Sequence, residues 1–390
     1  MRLARAVGLA LAAALGAAFL LVSPEQFVNR VVPAPLPAVG EAARALHASA
    51  FVIDLHADSL LFGRDLLRRS ARGHVDLPRL AEGGVALQVF GAPTRVPLGF
   101  NIERTDASRP DLLTGLGLAR LSPFAWHTPL GRALDLARQL DLLIARAGGR
   151  LRRVRTRADL AGLVEARERA GALGEPLPIG AALGIEGAQA LDGEVANLDA
   201  LFDAGYRMLG PAHFTDNEFA GSAHGVLQHG LSPQGRELVR RMQQRGVVVD
   251  VAHLSPAALE DVLAQSSAPV LVSHGGVRGT CDNPRNLSDD QLRGIAETGG
   301  VIGIGYWELA VCGTRMEQIA AAIRHAIGVV GDEHVALGSD FDGGTTTSFD
   351  TSALPALTQQ LLDAGLPAAS IRKLLGGNAL RVLRATLPSH

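Results

Sequence analysis

Two short apolar runs in this chain end abruptly in histidine: GVVVDVAH, which closes on His253, and, one helix length later, APVLVSH, which closes on His274. Each is rich in β-branched and aliphatic residues, apolar on both faces, and too short for an ordinary helix. That is the pattern of a strand buried in a parallel sheet. Between them Ser255 can cap a helix and Pro256 can take its first position. The segment therefore reads as a βαβ unit that delivers an imidazole at the carboxyl end of each strand.

The same arrangement recurs along the chain. Phe51 to Leu55 runs into His56-Ala57-Asp58; VALQVF follows; IGAALGIEG reaches Glu186; YRMLGPAHF contains His213; GVIGIGY precedes Trp307; and HVALGSDFDG reaches Asp340. Helical stretches separate these runs, several opening with serine then proline, as at Ser232-Pro233. A long insertion from Gly91 to Pro178 holds two further helical patterns, one in GRALDLARQLDLLIARAGG and one opening at Thr156 with a capping-box Asp159. Eight strand candidates alternating with helices predict a (β/α)₈ barrel, with a doubly wound open sheet as the competitor. The polar residues favour the barrel, because His56, Asp58, Glu186, His213, His253, His274 and Asp340 fall at the carboxyl ends of six strands, where a barrel builds its site.

At 390 residues the chain is long enough for one such barrel, and a net charge of -2 offers no basic surface for nucleic acid. Residues 1–24 join Arg2 and Arg5 to an apolar run, the pattern of an export signal or uncleaved membrane anchor. The proline-rich stretch 25–48 reads as a linker, and 49–390 as the barrel domain. An exported or membrane-anchored body would face an oxidising compartment, in which Cys281 and Cys312 either pair or stay as buried thiols.

Imidazoles and carboxylates without thiolate suit zinc in a hydrolytic site. Strand alternation puts His56 and Asp58 on one side, able to grip one ion, while His253 and His274 on adjacent strands can grip a second. Glu186, between the pairs, is the natural bridge. Two ions about 3.5–4 Å apart would activate a shared water and polarise a carbonyl, so the expected reaction is attack of metal hydroxide on an amide. Asp340 is expected as proton shuttle or further ligand, His213 as donor to the oxyanion, and Arg285 as a clamp for a substrate carboxylate. Asp342 reads as a turn residue, and His127, His224, His229, His325 and His334, lacking a strand-end context, as surface or structural. Barrel hydrolases that bridge their metals through a carbamylated lysine have no candidate here, since Lys373 is the sole lysine.

These residues resemble the membrane (renal) dipeptidase family, peptidase family M19. The likeness runs through VIDLHAD, GIEGA, PAHFTDN, VDVAHLS, VSHGG, NPRNLSDD, GSDFDG and GGNALRVL. It implies a binuclear zinc dipeptidase on a (β/α)₈ barrel. The metal would be held by His56, Asp58, Glu186, His253 and His274, with substrate contacts at His213 and Arg285 and a catalytic role at Asp340. Tolerance of a D-residue on the carboxyl side of the scissile bond, a Cys281–Cys312 disulfide and, by analogy, a homodimer are further implications. Gly275-Gly276 departs from a serine common in the family, and Tyr306, Trp307 and Glu308 give no secure match to a family tyrosine. The competing functions are a related amidohydrolase acting on lactams or N-acyl amino acids, and a catalytically silent exported binding protein.

Overall fold

All eight expected strands form: β1 (Val52–Ala57), β2 (Val85–Phe90), β3 (Ile179–Glu186), β4 (Tyr206–Gly210), β5 (Val248–Val249), β6 (Leu271–Gly275), β7 (Val301–Ile304) and β8 (Val335–Leu337). The computed structural model describes residues 25–119 and 127–389, so the export signal or anchor expected over 1–24 lies outside the described residues. Among the described residues no helix is long and apolar enough to cross a membrane.

The strands pair in the order β5-β4-β3-β2-β1-β8-β7-β6, every pair parallel. The two ends meet in a parallel bridge between Asp250 and Leu271, where the Val251 N–H donates to the Leu271 carbonyl at 2.7 Å. The sheet thus closes on itself, and the barrel reading holds over the open sheet. Every residue of the eight strands is buried. That explains why their sequences are continuous apolar runs rather than alternating ones.

One apolar cluster is drawn from alternate strand positions, among them Ile53 and Leu55, Leu87 and Val89, Met208, Val248 and Val301. It packs on Ala379, Val382 and Leu383 of the last helix, Asn378–Thr386, which closes that end of the barrel and leaves the carboxyl ends of the strands for polar residues. The predicted caps form: Ser232 and Ser255 each accept from the third backbone N–H of their helices, with proline at the first helical position. In the insertion, helices Pro129–Arg146 and Arg157–Leu173 form, the second with the Thr156–Asp159 capping box. A short strand, Leu151–Arg153, pairs with the start of β3.

The stretch 25–48 departs from the linker expectation. Arg30–Val31 adds in parallel to Thr346–Thr347, the Asn29 side chain accepts from the Gly344 N–H at 2.8 Å, and Glu25 is fully buried against Arg64. Helix Glu41–Ala48 also docks, burying Ala43, Leu46 and His47. Proline suppresses regular structure only over the middle of the stretch, so composition concealed the two docked ends.

Candidate metal centre

Seven side chains at the carboxyl ends of the strands converge with Arg285 of the loop after β6, each at most 8 % exposed: His56, Asp58, Glu186, His213, His253, His274 and Asp340. Glu186, the last residue of β3, stands at the centre. Its Oε1 lies 3.4 Å from His56 Nε2, 3.4 Å from His253 Nε2 and 3.3 Å from His274 Nε2, and its Oε2 lies 3.3 Å from His213 Nε2. His56 Nε2 is also 3.3 Å from Asp58 Oδ1, the i, i+2 pairing expected from a strand end. Three groupings have ligand atoms within 4.8 Å of one another: His56, Glu186 and His274; Glu186, His213 and His253; His56, Asp58 and Asp340. All five expected ligands are therefore brought together. His213, expected only as an oxyanion donor, is close enough to join them.

Hydrogen bonds around the imidazoles decide which nitrogens are free. His224 Nδ1 faces the Ile102 carbonyl at 2.9 Å and must donate to it, so its Nε2 carries a lone pair. That lone pair faces His253 Nδ1 at 3.1 Å, which makes His253 Nδ1 the donor and leaves His253 Nε2 bare. On β6, the Ser273 N–H donates to the Asp250 carboxylate at 2.9 Å and the Ser273 hydroxyl meets His274 Nδ1 at 2.9 Å, so that His274 presents its Nε2 to the centre. The two Nε2 atoms face each other across 2.9 Å, with the Glu186 carboxylate beside both. His56 Nε2 and Asp58 Oδ1, likewise buried and without a hydrogen-bond partner, complete a donor set of nitrogen and oxygen suited to a divalent metal.

The electrostatics agree. Burial pushes the His253 and His274 imidazoles well below the usual histidine range, helped by neighbouring positive groups, so both stay neutral as ligands must. Burial would also lower His56, but the carboxylates of Glu186, Asp58 and Asp340 override it and raise the ring to about 10. Burial lifts Glu186 well above the carboxylate range and Asp340 to about 8. His253 (φ 64°) and Asp340 (φ 57°) both hold left-handed backbone, a strained conformation that points to functional constraint.

Supporting residues surround this cluster. Arg285 donates from Nη2 to the His274 carbonyl at 2.8 Å. Its loop is pinned by the Cys281–Cys312 disulfide and by Asn286, whose amide donates to the Cys281 and Ala310 carbonyls. Trp307 lies beside His274, ring centroids 5.8 Å apart, whereas Tyr306 packs away among Phe341 and Phe349 and Glu308 is exposed. Asp342 does sit in a turn (φ 63°), but it is also a buried anchor for Ser59, Arg64 and the His74 N–H.

Of the five histidines read as surface or structural, His224 is structural: it is 1 % exposed and its ring hydrogen-bonds His253, one of the expected ligands. Its context, GSAHG, follows no strand, and nothing local marks it. Asp54 and Asp250 were missed. Asp54 accepts from the Ser339 hydroxyl at 2.6 Å, and that hydroxyl stands 3.0 Å from the His56 carbonyl. The aspartate shortly before the histidine in both VIDLHAD and VDVAHLS was the available signal. Among the other four, His325 bonds Asp289, His229 and His334 bond nearby carbonyls, and His127 is exposed.

The profile of the membrane dipeptidase family (peptidase family M19) matches residues 40–388. An uncharacterised Klebsiella pneumoniae protein from the pqqA 5′ region is 34% identical over 260 residues, covering 63% of this chain and 92% of that protein. The dipeptidase AclJ of Aspergillus oryzae is 35% identical over 218 residues, 53% of this chain, and the match spans about half of that relative's length, 52%. Among solved structures, a metallopeptidase from Rhodobacter sphaeroides liganded with a phosphinate mimic of the dipeptide L-Ala-D-Ala superposes with a TM-score of 0.70 at 25% identity, over 86% of this chain and 99% of that one.

Proposed function

The chain belongs to the membrane dipeptidase family, peptidase family M19, a family of metallo-dipeptidases, and on that premise we propose that it is a zinc-dependent dipeptidase with two ions per subunit. The observation that carries this reading is the pair of imidazole Nε2 atoms of His253 and His274, 2.9 Å apart and converging on Glu186. His56 with Asp58 would hold one ion, His253 with His274 the other, and Glu186 would bridge them. When bound, such ions lower the pKa of a water and polarise a carbonyl.

The chain's own residues supply the rest. Arg285, positively charged and fixed by the His274 carbonyl, binds the substrate carboxylate. His213, kept neutral by burial, donates to the scissile carbonyl oxygen as it gains charge. Asp340, whose carboxyl burial lifts to about 8 in the metal-free chain and which would give up that proton beside bound cations, then takes the proton given up by water and passes it to the departing amine nitrogen. A D-residue on the carboxyl side is part of the proposal, supported by the L-Ala-D-Ala mimic held by the Rhodobacter sphaeroides relative. Export is also part of it, supported by the apolar run within 1–24 and by the need of the disulfide for an oxidising compartment.

The test is a panel of L,L and L,D dipeptides and N-acyl amino acids on zinc-loaded protein, with metal analysis. The expected result is about two zinc ions per chain, dipeptide turnover that requires the free α-amine, and loss of turnover in Glu186→Gln and His253→Ala. Zinc-free protein, or dipeptide hydrolysis surviving both substitutions, would overturn the proposal.

A further inference from the structure

The insertion after β2 contributes a closed loop, 97–111, whose ends are tied by Pro97 pairing with Asp111 and by the Leu98 N–H donating to the Pro110 carbonyl at 2.8 Å. Its interior is held by its own polar groups: the Asn101 side chain accepts from the N–H groups of Glu103 and Arg104, and the Thr105 hydroxyl donates to the Asn101 carbonyl. The loop touches the metal centre through His224. The Thr105 N–H donates to the His224 carbonyl at 2.7 Å, and the His224 ring donates back to the Ile102 carbonyl at 2.9 Å. Alongside, Phe100 stacks on Phe214 at 4.2 Å and Phe214 on His213 at 3.8 Å, so the loop lies over the same face.

His224 is gripped from the loop on one side and grips His253 on the other. His253 in turn sits on left-handed backbone, with its carbonyl accepting from the Ala223 N–H at 2.8 Å. Rotate the Ile102 carbonyl away and His224 loses the acceptor that fixes its tautomer. It is then free to present a donor to His253 Nδ1, and the order of protons along the chain is lost.

We propose that His224 is a positioning residue that holds His253 in its ligand-competent tautomer, and that the 97–111 loop holds His224, so that retention of the ion between His253 and His274 depends on the seating of that loop. The inference rests on the metal-centre reading above and not on the identity of the substrate. Partners of metal-bound histidines commonly govern affinity in this way. What is particular here is that the partner is itself set by a loop at the mouth of the site, with Leu98 and Phe100 exposed on it.

The experiment is a Zn²⁺ titration of the full chain against a competing chromophoric chelator. His224→Leu, with the near-isosteric His224→Phe in reserve should the leucine protein not fold, is expected to weaken one zinc equivalent by about 10- to 100-fold. His224→Gln, whose oxygen can accept from His253 and whose amide can donate to Ile102, is expected to stay within about threefold of wild type. Thr105→Pro removes the loop's N–H bond to His224 without touching a ligand, and should weaken the same equivalent in the wild-type background but add nothing in His224→Leu. Unchanged zinc affinity in His224→Leu, or an equal Thr105→Pro effect in both backgrounds, would overturn the proposal. So would a lowered melting temperature of chelator-treated His224→Leu with an unaltered zinc titration, since that is a packing role only. Dipeptide turnover is scored separately, so a protein that binds zinc as described but cleaves no dipeptide refutes the proposed activity and leaves this inference standing.

Discussion

A methyl group at Gly91 would stand 2.6 and 2.7 Å from the His56 ring atoms Cε1 and Nε2 and closer still to Asp58 Oδ1. The residue just after β2 must therefore lack a side chain for His56 and Asp58 to hold their positions. Gly91→Ala is expected to displace both ligands and lower kcat by about 10²-fold, the scale set by a misplacement of roughly 1 Å. Zinc content should fall in parallel, while the melting point of the metal-free protein changes little. A variant that keeps full zinc and full turnover would show that the ligands can move aside. Residues at this scale were unevenly legible. His56, Asp58, Glu186, His253 and His274 announce themselves because a polar group closing an apolar run is chemically anomalous. Gly91 and His224 carry no such signal: one acts by lacking atoms and the other lies on a loop that reaches the site only in three dimensions.

The elements that steady Asp340 come from the other end of the chain. Arg64 bridges Glu25 of the N-terminal arm and Asp342, two residues beyond Asp340. Burial would raise Asp342, but Arg64, His74 and Ser59 outweigh it and hold the carboxyl at about 2. This contribution to stability is present above the unfolded aspartate pKa of about 3.9 and is lost as pH falls through the folded value. Replacing Arg64 by leucine would strand two buried carboxylates, at a cost of about 3–5 kcal/mol. Deleting residues 1–31 removes Glu25 and the Arg30–Val31 pairing with Thr346–Thr347, so kcat should drop by about tenfold or more as the Asp340 loop slackens. Zinc stoichiometry should hold, since none of the five proposed ligands lies on that loop. A truncated protein with unchanged kcat would show that the arm is dispensable. At this scale the strands were legible because burial on both faces forces continuous apolar runs. The docked arm was not, because a two-residue strand and a single buried glutamate have no periodicity to detect.

For the molecule as a whole, closure of the barrel gathers acid and base groups at one end, where they share protons unless a cation displaces them. The competing open sheet was disfavoured in sequence by polar ends on many strands, but the closing contact, the Asp250–Leu271 bridge, leaves no sequence trace. Without metal, His56 is raised to about 10 and Asp340 to about 8, so both hold protons at neutral pH. A raised base contributes stability that is full below its unfolded pKa of about 6.5 and is lost as pH rises through the folded value. A raised acid likewise loses stability from about pH 4 up to its folded pKa. Both effects weaken the metal-free protein as pH rises from 6 to 8. Zinc uptake runs the other way, because a ligand must shed its proton to bind, so affinity should increase about tenfold per pH unit for each proton displaced. At fixed free zinc near a thousandfold its dissociation constant the ion adds about 4 kcal/mol, and more as pH rises. The gap between the melting temperatures of zinc-loaded and chelator-treated protein should therefore widen steadily from pH 6 to 8, with protons released on zinc binding at pH 7 by calorimetry in buffers of different ionisation enthalpy. A gap that is flat or narrows over that range would mean that His56 and Asp340 do not carry those protons, and that the charge balance of the centre is set elsewhere.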